Sequence, residues 1–323
     1  MRQFLAALLS QSFLLCLIPG FAPAQEARPP ILVHGHRGAR AMRPENTIPA
    51  FQYAIAAGAD VLELDMAVTK DNVIVISHDP ILRSPVCNSA TQAHAIIHDL
   101  TLEQVKQWDC GMKQNPEFHT QQTIPGTRVP TLDEVFALGA GNKVQFNIET
   151  KIMARRVGAQ EAEMTLKRMG ISADSPQGKD AMALIAAMGP EMTPSPEVFV
   201  KLVLEKIRKY HMEDRVILQS FDFRTLIAMK KIAPEIRLSA LTSDNTKSFV
   251  EMAKEGEAGI ISPVYQTVTP ERVKDAHAAG LQVVPWTANK KDDWDKLIDA
   301  KVDAIITDDP AGLIEHLKQR GLR

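Results

Sequence analysis

The chain of 323 residues has few cysteines, few aromatic side chains and almost no net charge. Its 3 cysteines are too few for a fold built on disulfides. With 37 basic and 39 acidic residues, no charge excess favours nucleic acid or an anionic membrane as a partner. Hydrophobic residues make up 45% and charged residues 24%, which is typical of a globular protein and excludes a disordered or coiled-coil chain.

One long apolar run lies at the N-terminus, from Phe4 to Ile18, behind the charged Arg2. A Pro-Gly pair ends the run, and Ala22 and Ala24 supply the small residues that a signal peptidase reads. Residues 1–24 are therefore predicted to be a signal peptide, so that the mature chain is exported, either periplasmic or secreted. A membrane anchor is the alternative, but the run is shorter than the ~20 apolar residues that a spanning helix needs.

Cleavage would leave two cysteines, Cys87 and Cys110. In an oxidising compartment they would close one surface loop as a disulfide, and two free buried thiols are the alternative. Beyond the leader, no segment approaches membrane length, so we expect no stable membrane span in the mature chain.

From residue 31 to the C-terminus, short β-rich runs alternate with amphipathic stretches, which indicates a parallel sheet covered by helices. The predicted strands are 31–35, 61–66, 73–78, 144–149, 216–220, 236–241, 259–262, 282–286 and 304–307. The predicted helices are 47–57, 132–138, 197–211, 223–232, 246–254, 270–279, 292–299 and 311–319.

Nine strands are one too many for an eight-stranded barrel. Only residues 67–72 separate the second and third strands, too few for a parallel crossover of about a dozen residues. These two strands should form an antiparallel hairpin that places Glu63 roughly opposite His78. Eight parallel strands remain, so the prediction is an α/β fold: one (β/α)₈ TIM barrel over residues 25–323, with an early β-hairpin. A doubly wound open sheet is the runner-up, but the sequence has no glycine-rich dinucleotide or P-loop motif.

Two connections exceed normal loop length, at about residues 80–129 and 152–196. The first contains both mature cysteines and a short predicted helix at 102–108. The second contains a turn-rich stretch at 172–178 and the apolar run 182–188. We interpret both as insertions that shape a substrate mouth.

Chemically active residues gather at strand ends, where a barrel has its active site. Alternation along a strand puts Glu63 and Asp65 on one face, and Glu149 shares a face with Lys151. Three carboxylates at one rim form an oxygen-rich site suited to Mg²⁺ or Ca²⁺. Buried without a cation, they would carry a heavy desolvation penalty. A simple ion pair between Glu149 and Lys151 is the alternative for those two residues.

Seven short motifs occur in order along the chain: His36–Gly38, Pro44–Thr47, Glu63–Asp65, His78–Asp79, Glu149–Lys151, Gln219–Phe221 and Trp286–Asn289. This order resembles the glycerophosphodiester phosphodiesterase family, which has a (β/α)₈ barrel with an insertion after the early strands. The resemblance implies hydrolysis of a small glycerophosphodiester, such as glycerophosphocholine or glycerophosphoethanolamine, to glycerol 3-phosphate and an alcohol. The second insertion is larger than is typical of the family, so the substrate preference stays open.

The resemblance implies that Glu63, Asp65 and Glu149 bind one divalent cation, Mg²⁺ or Ca²⁺. It also implies that His36 and His78 are the acid/base pair. The chemistry agrees, because a cation and basic side chains must neutralise the phosphate oxygens as charge moves to the leaving alcohol. We assign the base to the first histidine and the acid to the second, although the sequence does not fix the order.

Five further residues have expected supporting roles. Arg37 would grip the phosphate with its guanidinium, and Lys151 would offer a point charge. Trp286 would form one wall of the substrate pocket, against the glycerol moiety. Glu45 would bind the metal or a glycerol hydroxyl, or be an acid in the first turn of a helix. Gln219 would donate a hydrogen bond inside the rim or make a structural contact.

Other polar residues near strand ends are expected to be structural. Asn46 and Thr47 should cap the following helix, and Asp308 and Asp309 should form a turn and helix cap. His34 and His36 mimic the paired metal ligands of amidohydrolase-type barrels. The middle strands end without histidine, so we expect His34 to be a packed or supporting residue.

Two rival functions remain on the same barrel. A phospholipase D-type enzyme that acts on lysophospholipids or sphingolipids would need an apolar mouth, which the run 182–188 would supply. A non-catalytic exported binding protein would be favoured by the loss of a histidine or carboxylate, and none is missing from the motifs.

Overall fold

The computed structural model describes residues 30–152, 163, 166–167, 170–187 and 192–323. The predicted signal peptide lies outside these residues. The strands are β1 Leu32–Gly35, β2 Val61–Val68, β3 Ile74–Ile76, β4 Ile81–Arg83, β5 His94–Ile96, β6 Gln145–Thr150, β7 Val216–Ser220, β8 Arg237–Thr242, β9 Ile260–Pro263, β10 Gln282–Val283 and β11 Ala304–Thr307.

Eight of these strands pair in parallel, in the order β10-β9-β8-β7-β6-β2-β1-β11. At the remaining seam, the N–H of Ile306 donates to the carbonyl of Pro285 at 3.0 Å. The N–H of Asp303 likewise donates to the carbonyl of Val283. The sheet is thus a nearly closed barrel of eight parallel strands, which confirms the predicted fold and excludes the open sheet.

Helices alternate with the barrel strands. The described helices are α1 Ile48–Ala57, α2 Leu102–Val105, α3 Leu132–Leu138, α4 Pro176–Ala187, α5 Pro196–Lys209, α6 Phe223–Ile232, α7 Phe249–Glu255, α8 Pro270–Ala278, α9 Lys291–Asp299 and α10 Pro310–Gln319, with 3₁₀ turns at Ile97–Asp99, Glu213–Arg215 and Tyr265–Thr267. In the described part of the chain, no helix is both long and apolar enough to span a membrane.

The amphipathic pattern of α5 shows how the helices dock on the barrel. Phe199, Val203 and Ile207 recur every four residues, so they share one face, and all three are buried. The hydroxyl of Ser195 accepts a hydrogen bond from the N–H of Val198 and caps the helix. Local sequence therefore sets both the start of the helix and the face that it buries.

Strand β2 has apolar side chains on one face and two carboxylates on the other. Leu62, Leu64 and Met66 belong to the main hydrophobic cluster. Glu63 and Asp65 alternate with them and are buried as well. Because side chains alternate across a strand, the two carboxylates point to the opposite face, into the barrel.

The predicted hairpin is confirmed, because β3 pairs with β2 in antiparallel register. Met66 lies opposite Ile76, and the N–H of Ser77 donates to the carbonyl of Asp65 at 2.9 Å. This register differs by one residue from the predicted pairing of Glu63 with His78. The hairpin brings the segment after β3 back to the carboxyl end of β2.

The first insertion contains a small unit that the sequence pattern revealed only in part. Cys87 and Cys110 form a disulfide, so the alternative of two free thiols is wrong. The antiparallel pair β4–β5 was not predicted, because each strand has only three residues. The predicted helix at 102–108 is a single turn, α2, whose capping box joins Thr101 and Gln104.

The second insertion contains a helix that begins inside the predicted turn. Pro176 is the first residue of α4, and the hydroxyl of Ser175 accepts from the N–H of Gly178 at 3.0 Å. Serine followed by proline is a helix-start signal as well as a turn signal, which explains the difference. Of the apolar run 182–188, the last residue lies outside the described residues.

Candidate active site

The predicted metal ligands meet at the carboxyl ends of β2 and β6. These strands pair in parallel with Asp65 opposite Glu149, and Glu63 lies two residues earlier on the same face of β2. One carboxylate oxygen of each residue lies within 4.8 Å of the others, and all three residues are buried. Three converging hard oxygen donors fit a divalent cation such as Mg²⁺ or Ca²⁺.

The pKa values of the three carboxylates reflect their burial and the charges around them. Burial and the charge of Asp65 raise the pKa of Glu63 well above its usual range. Burial raises the pKa of Glu149 to about 8, although Lys151 opposes the shift. Burial alone would also raise the pKa of Asp65, but Lys151 and His78 hold it well below its usual range. A bound cation would favour the ionised form of all three carboxylates.

Lys151 lies within the cluster. Its Nζ is 2.8 Å from Oε1 of Glu149 and 3.2 Å from Oδ1 of Asp65. Burial opposes its charge, but Asp65 and Glu149 outweigh this and raise the pKa of Lys151. The ion pair considered from the sequence is present, and the side chain also lines the cavity above the carboxylates.

A carboxylate holds the ring of His36 through a hydrogen bond at Nδ1. Its Nδ1 is 2.6 Å from Oδ1 of Asp308, while its Nε2 lies 4.0 Å from Oε2 of Glu63. Asn289 donates from Nδ2 to the second oxygen of Asp308 at 2.7 Å. Burial lowers the pKa of His36, although Asp308 opposes the shift. An ionised Asp308 accepts a hydrogen bond from Nδ1–H of His36, so the unprotonated Nε2 faces the cluster.

Asp308 is a site residue that the sequence did not predict. The expectation of a turn and helix cap is right for Asp309, whose carboxylate accepts from the N–H of Gly312 at the start of α10. It is wrong for Asp308, whose carboxylate orients His36 instead. The signal that would have found it is barrel closure, because the last strand, β11, pairs with β1 and brings Thr307 opposite Gly35.

His78 is held in the same manner at the end of the hairpin. Its Nδ1 is 2.8 Å from Oδ1 of Asp79, and 36% of its side chain is exposed. The hydrogen bond from His78 lowers the pKa of Asp79 to about 2, so the carboxylate is ionised at neutral pH. His78 and His36 line the same cavity as the carboxylates.

Arg37 lines the cavity and is bound to a buried acid. Its Nη1 donates to Glu45 at 2.6 Å, and Nε of Arg40 donates to the other oxygen of Glu45 at 2.8 Å. Glu45 precedes α1 and lies outside its first turn, and it is not one of the three clustered carboxylates. Its observed role is to pair two arginines, which none of the predicted alternatives described.

Amide side chains hold the carboxylates in place. Gln219 donates from Nε2 to Glu63 at 2.8 Å, and Asn147 donates to Gln219 at 2.9 Å. Asn46 donates to Asp65 at 2.9 Å, so its predicted capping role is wrong. Thr47 is the N-cap of α1 by position, but its hydroxyl donates to the carbonyl of Pro44 and makes no cap hydrogen bond.

The cavity over this cluster has a volume of about 170 Å³, and Trp286 lines it as predicted. Phe221 contacts Trp286 edge to face, with ring centroids 5.4 Å apart, and 47% of Phe221 is exposed at the mouth. His34 lies deeper in the barrel, fully buried, with its Nδ1 3.5 Å from Asn147. It is therefore a packed residue, and the paired-histidine metal site is not formed.

Comparisons with known proteins agree on one family. A model of the Glycerophosphoryl diester phosphodiesterase family matches residues 36–312. A glycerophosphodiester phosphodiesterase of Caldanaerobacter subterraneus is 32% identical over 290 residues, which cover 90% of this chain and 99% of the relative. A lysophospholipase D of Mus musculus is 33% identical over 151 residues, which cover 46% of this chain and 45% of the relative.

Solved structures share the fold. A crystal structure from Silicibacter pomeroyi is 27% identical, with a TM-score of 0.74 and coverage of 91% of this chain and 96% of that one. A phosphodiesterase of Oleispira antarctica is 21% identical, with a TM-score of 0.68 and coverage of 90% and 97%. On the family match and the full-length relative, the chain belongs to the glycerophosphoryl diester phosphodiesterase family, whose members are phosphoric diester hydrolases.

Proposed function

We propose that this enzyme hydrolyses glycerophosphodiesters, such as glycerophosphocholine or glycerophosphoethanolamine, to glycerol 3-phosphate and an alcohol, and that it needs a divalent cation. The observation that carries the proposal is one cavity with three clustered buried carboxylates and two histidines, each bound to its own carboxylate. The related fold from Oleispira antarctica was solved with the product sn-glycerol-3-phosphate, which supports the same glycerol-phosphate product for this chain.

Glu63, Asp65 and Glu149 would hold one cation, either Mg²⁺ or Ca²⁺, since both ions prefer oxygen ligands. When bound, the cation would offset the negative charge of the phosphoryl oxygens. The electrostatics support this assignment, because burial, with a smaller contribution from the charge of Asp65, raises the pKa of Glu149 to about 8 without a cation. Such a raised pKa marks a site where positive charge is favoured.

His36 and His78 would move the protons of the reaction. His36 Nε2 would take a proton from the attacking water, which suits a buried histidine whose pKa is lowered and whose Nδ1 is held by Asp308. His78 would donate a proton to the leaving alcohol oxygen. Arg37 and Lys151 would bind the phosphate oxygens, and Trp286 would cover the glycerol carbons.

The proposal is tested by an assay of the purified protein on glycerophosphocholine and lysophosphatidylcholine, with Mg²⁺, Ca²⁺ or a chelator. We expect cleavage of glycerophosphocholine that the chelator abolishes and that His36→Ala lowers at least about 100-fold. Activity that survives chelation would contradict the need for a cation. Activity that stays intact in His36→Ala would contradict the role of His36 as the base.

A second candidate is phospholipase D-type cleavage of lysophospholipids. The similarity to a lysophospholipase D over 151 residues supports it, as do the exposed Phe221 and the half-buried Trp286 at the mouth. In the same assay, cleavage of lysophosphatidylcholine without cleavage of glycerophosphocholine would establish this function in place of the first.

We further propose that the protein is exported after cleavage near Ala24. The disulfide between Cys87 and Cys110 supports this, because structural disulfides persist in oxidising compartments. N-terminal sequencing of the mature protein from a periplasmic or culture fraction should begin at Gln25. A mature protein that keeps residues 1–24 would contradict the proposal.

A further inference from the structure

A second cavity, on the side of the first insertion, adjoins the cavity over the three carboxylates. It is a groove of about 390 Å³, more than twice the volume of the cavity over the carboxylates. Arg37, Arg40 and His78 line both spaces. The two cavities therefore meet at Arg37, which the proposed reaction assigns to the phosphate, and at His78, which it assigns to the leaving oxygen.

A phosphodiester has two arms, and the smaller cavity does not have room for both. Small-molecule sites commonly measure about 300–1,000 Å³, so 170 Å³ is undersized for a whole diester, whereas the groove lies within that range. In the proposed reaction the alcohol leaves towards His78, which opens into the groove. We infer that the groove binds the alcohol arm of the diester, an assignment that rests on the proposed function.

The lining of the groove indicates the kind of alcohol. Asp79, Arg83 and Glu117 place exposed charges of both signs at its rim, and Ile81 and Val86 form an apolar wall. This combination suits a polar alcohol of head-group size, because hydroxyl and ammonium groups find partners at the rim while carbon atoms contact the wall. Such a rim does not suit an acyl chain.

Quaternary ammonium groups are bound less well by this lining than polyols or primary amines. Among the described residues that line the groove, none carries a phenyl, phenol or indole ring. A trimethylammonium group therefore has no aromatic face to contact, and such faces are the main recognition device for that group.

The wall of the groove is built before any ligand binds. Cys87 lines the groove and is bonded to Cys110. Next to the disulfide, the backbone N–H and C=O groups of Asn88 and Asp109 form a pair of hydrogen bonds, each 2.8 Å long. A wall fixed in this way loses little conformational entropy on binding, so its shape selects the alcohol.

The test fills the groove and compares two diesters that share the glycerol phosphate arm. The variant is Pro116→Trp, because Pro116 is exposed and lines the groove. The probes are sn-glycero-3-phosphoinositol, which has a bulky polyol arm, and the methyl ester of sn-glycerol 3-phosphate, which has a one-carbon arm. Met112→Trp is the matched control, since Met112 is exposed on the same loop but does not line the groove.

We expect Pro116→Trp to lower kcat/KM for the inositol diester about tenfold or more relative to the methyl diester. The control should keep the wild-type ratio of the two values. Glu117→Trp also fills the groove from an exposed position and should change the ratio in the same direction. This second variant keeps the test valid if Pro116→Trp does not fold. An unchanged ratio in both groove variants overturns the assignment while the proposed function stands. Failure of the wild-type enzyme to cleave either diester overturns both.

Discussion

At the scale of single residues, the site depends on carboxylates that hold other side chains. Asp308 and Asp79 each accept a hydrogen bond from Nδ1 of a histidine, so the ring orientation and the tautomer are set before substrate binds. Glu45 does the same for Arg37, whose guanidinium would otherwise sample many conformations. The side chains proposed to act on the substrate are thus positioned by neighbouring carboxylates.

Replacement of Asp308 by Asn should lower kcat about 100-fold or more with little change in KM, because an amide donor at this position favours the wrong tautomer of His36. The matched control is Asp309→Asn, which keeps a good cap residue at the start of α10 and should retain the wild-type kcat. Steady-state kinetics on glycerophosphocholine give both parameters. A kcat for Asp308→Asn equal to that of the control would contradict the role of Asp308.

Cation affinity should depend on pH through Glu149. Its pKa of about 8 without a cation means that it is protonated at pH 6 and must lose its proton on binding. Affinity for Mg²⁺ should therefore rise between pH 6 and pH 8, by at most about tenfold per pH unit for this group. Calorimetry in two buffers of different ionisation enthalpy measures the affinity and the released protons. Equal affinity at pH 6 and pH 8 would refute this linkage.

At the scale of elements, the first insertion is a separate small core attached to the barrel. Val105, Trp108 and Val129 pack around the disulfide, and β4 pairs with β5. Sequence patterns predicted the barrel strands and most helices because each carries its own periodicity or cap. They missed β4, β5 and α4 because strands of three residues carry too little alternation, and a serine-proline start resembles a turn.

Removal of the disulfide by Cys87→Ser with Cys110→Ser should lower the free energy of unfolding by about 3 kcal/mol, the loop-entropy value for a separation of 23 residues. Denaturant unfolding of the double variant and the oxidised wild-type protein measures the difference. Identical midpoints and slopes for the two proteins would show that the bond does not stabilise the insertion.

At the scale of the whole molecule, barrel closure makes the site. Residues 36 and 308 lie at opposite ends of the sequence, yet β1 and β11 are neighbours in the sheet. The family motifs supplied His36, His78 and the three carboxylates at the sequence level. The roles of Asp308 and Asn46 depend on contacts between distant strand ends, which no local pattern encodes. Although the net charge of the chain is near zero, charged side chains are concentrated at one rim of the barrel.

The most direct test of the central claim identifies the bond that is broken and its dependence on a cation. Glycerophosphocholine is incubated with the purified enzyme and Mg²⁺ or Ca²⁺, and the reaction is followed by ³¹P NMR, with a chelated sample in parallel. We predict a glycerol 3-phosphate signal with a cation and no conversion with the chelator. A phosphocholine signal, or equal conversion in the chelated sample, would contradict cation-dependent release of glycerol 3-phosphate by this enzyme.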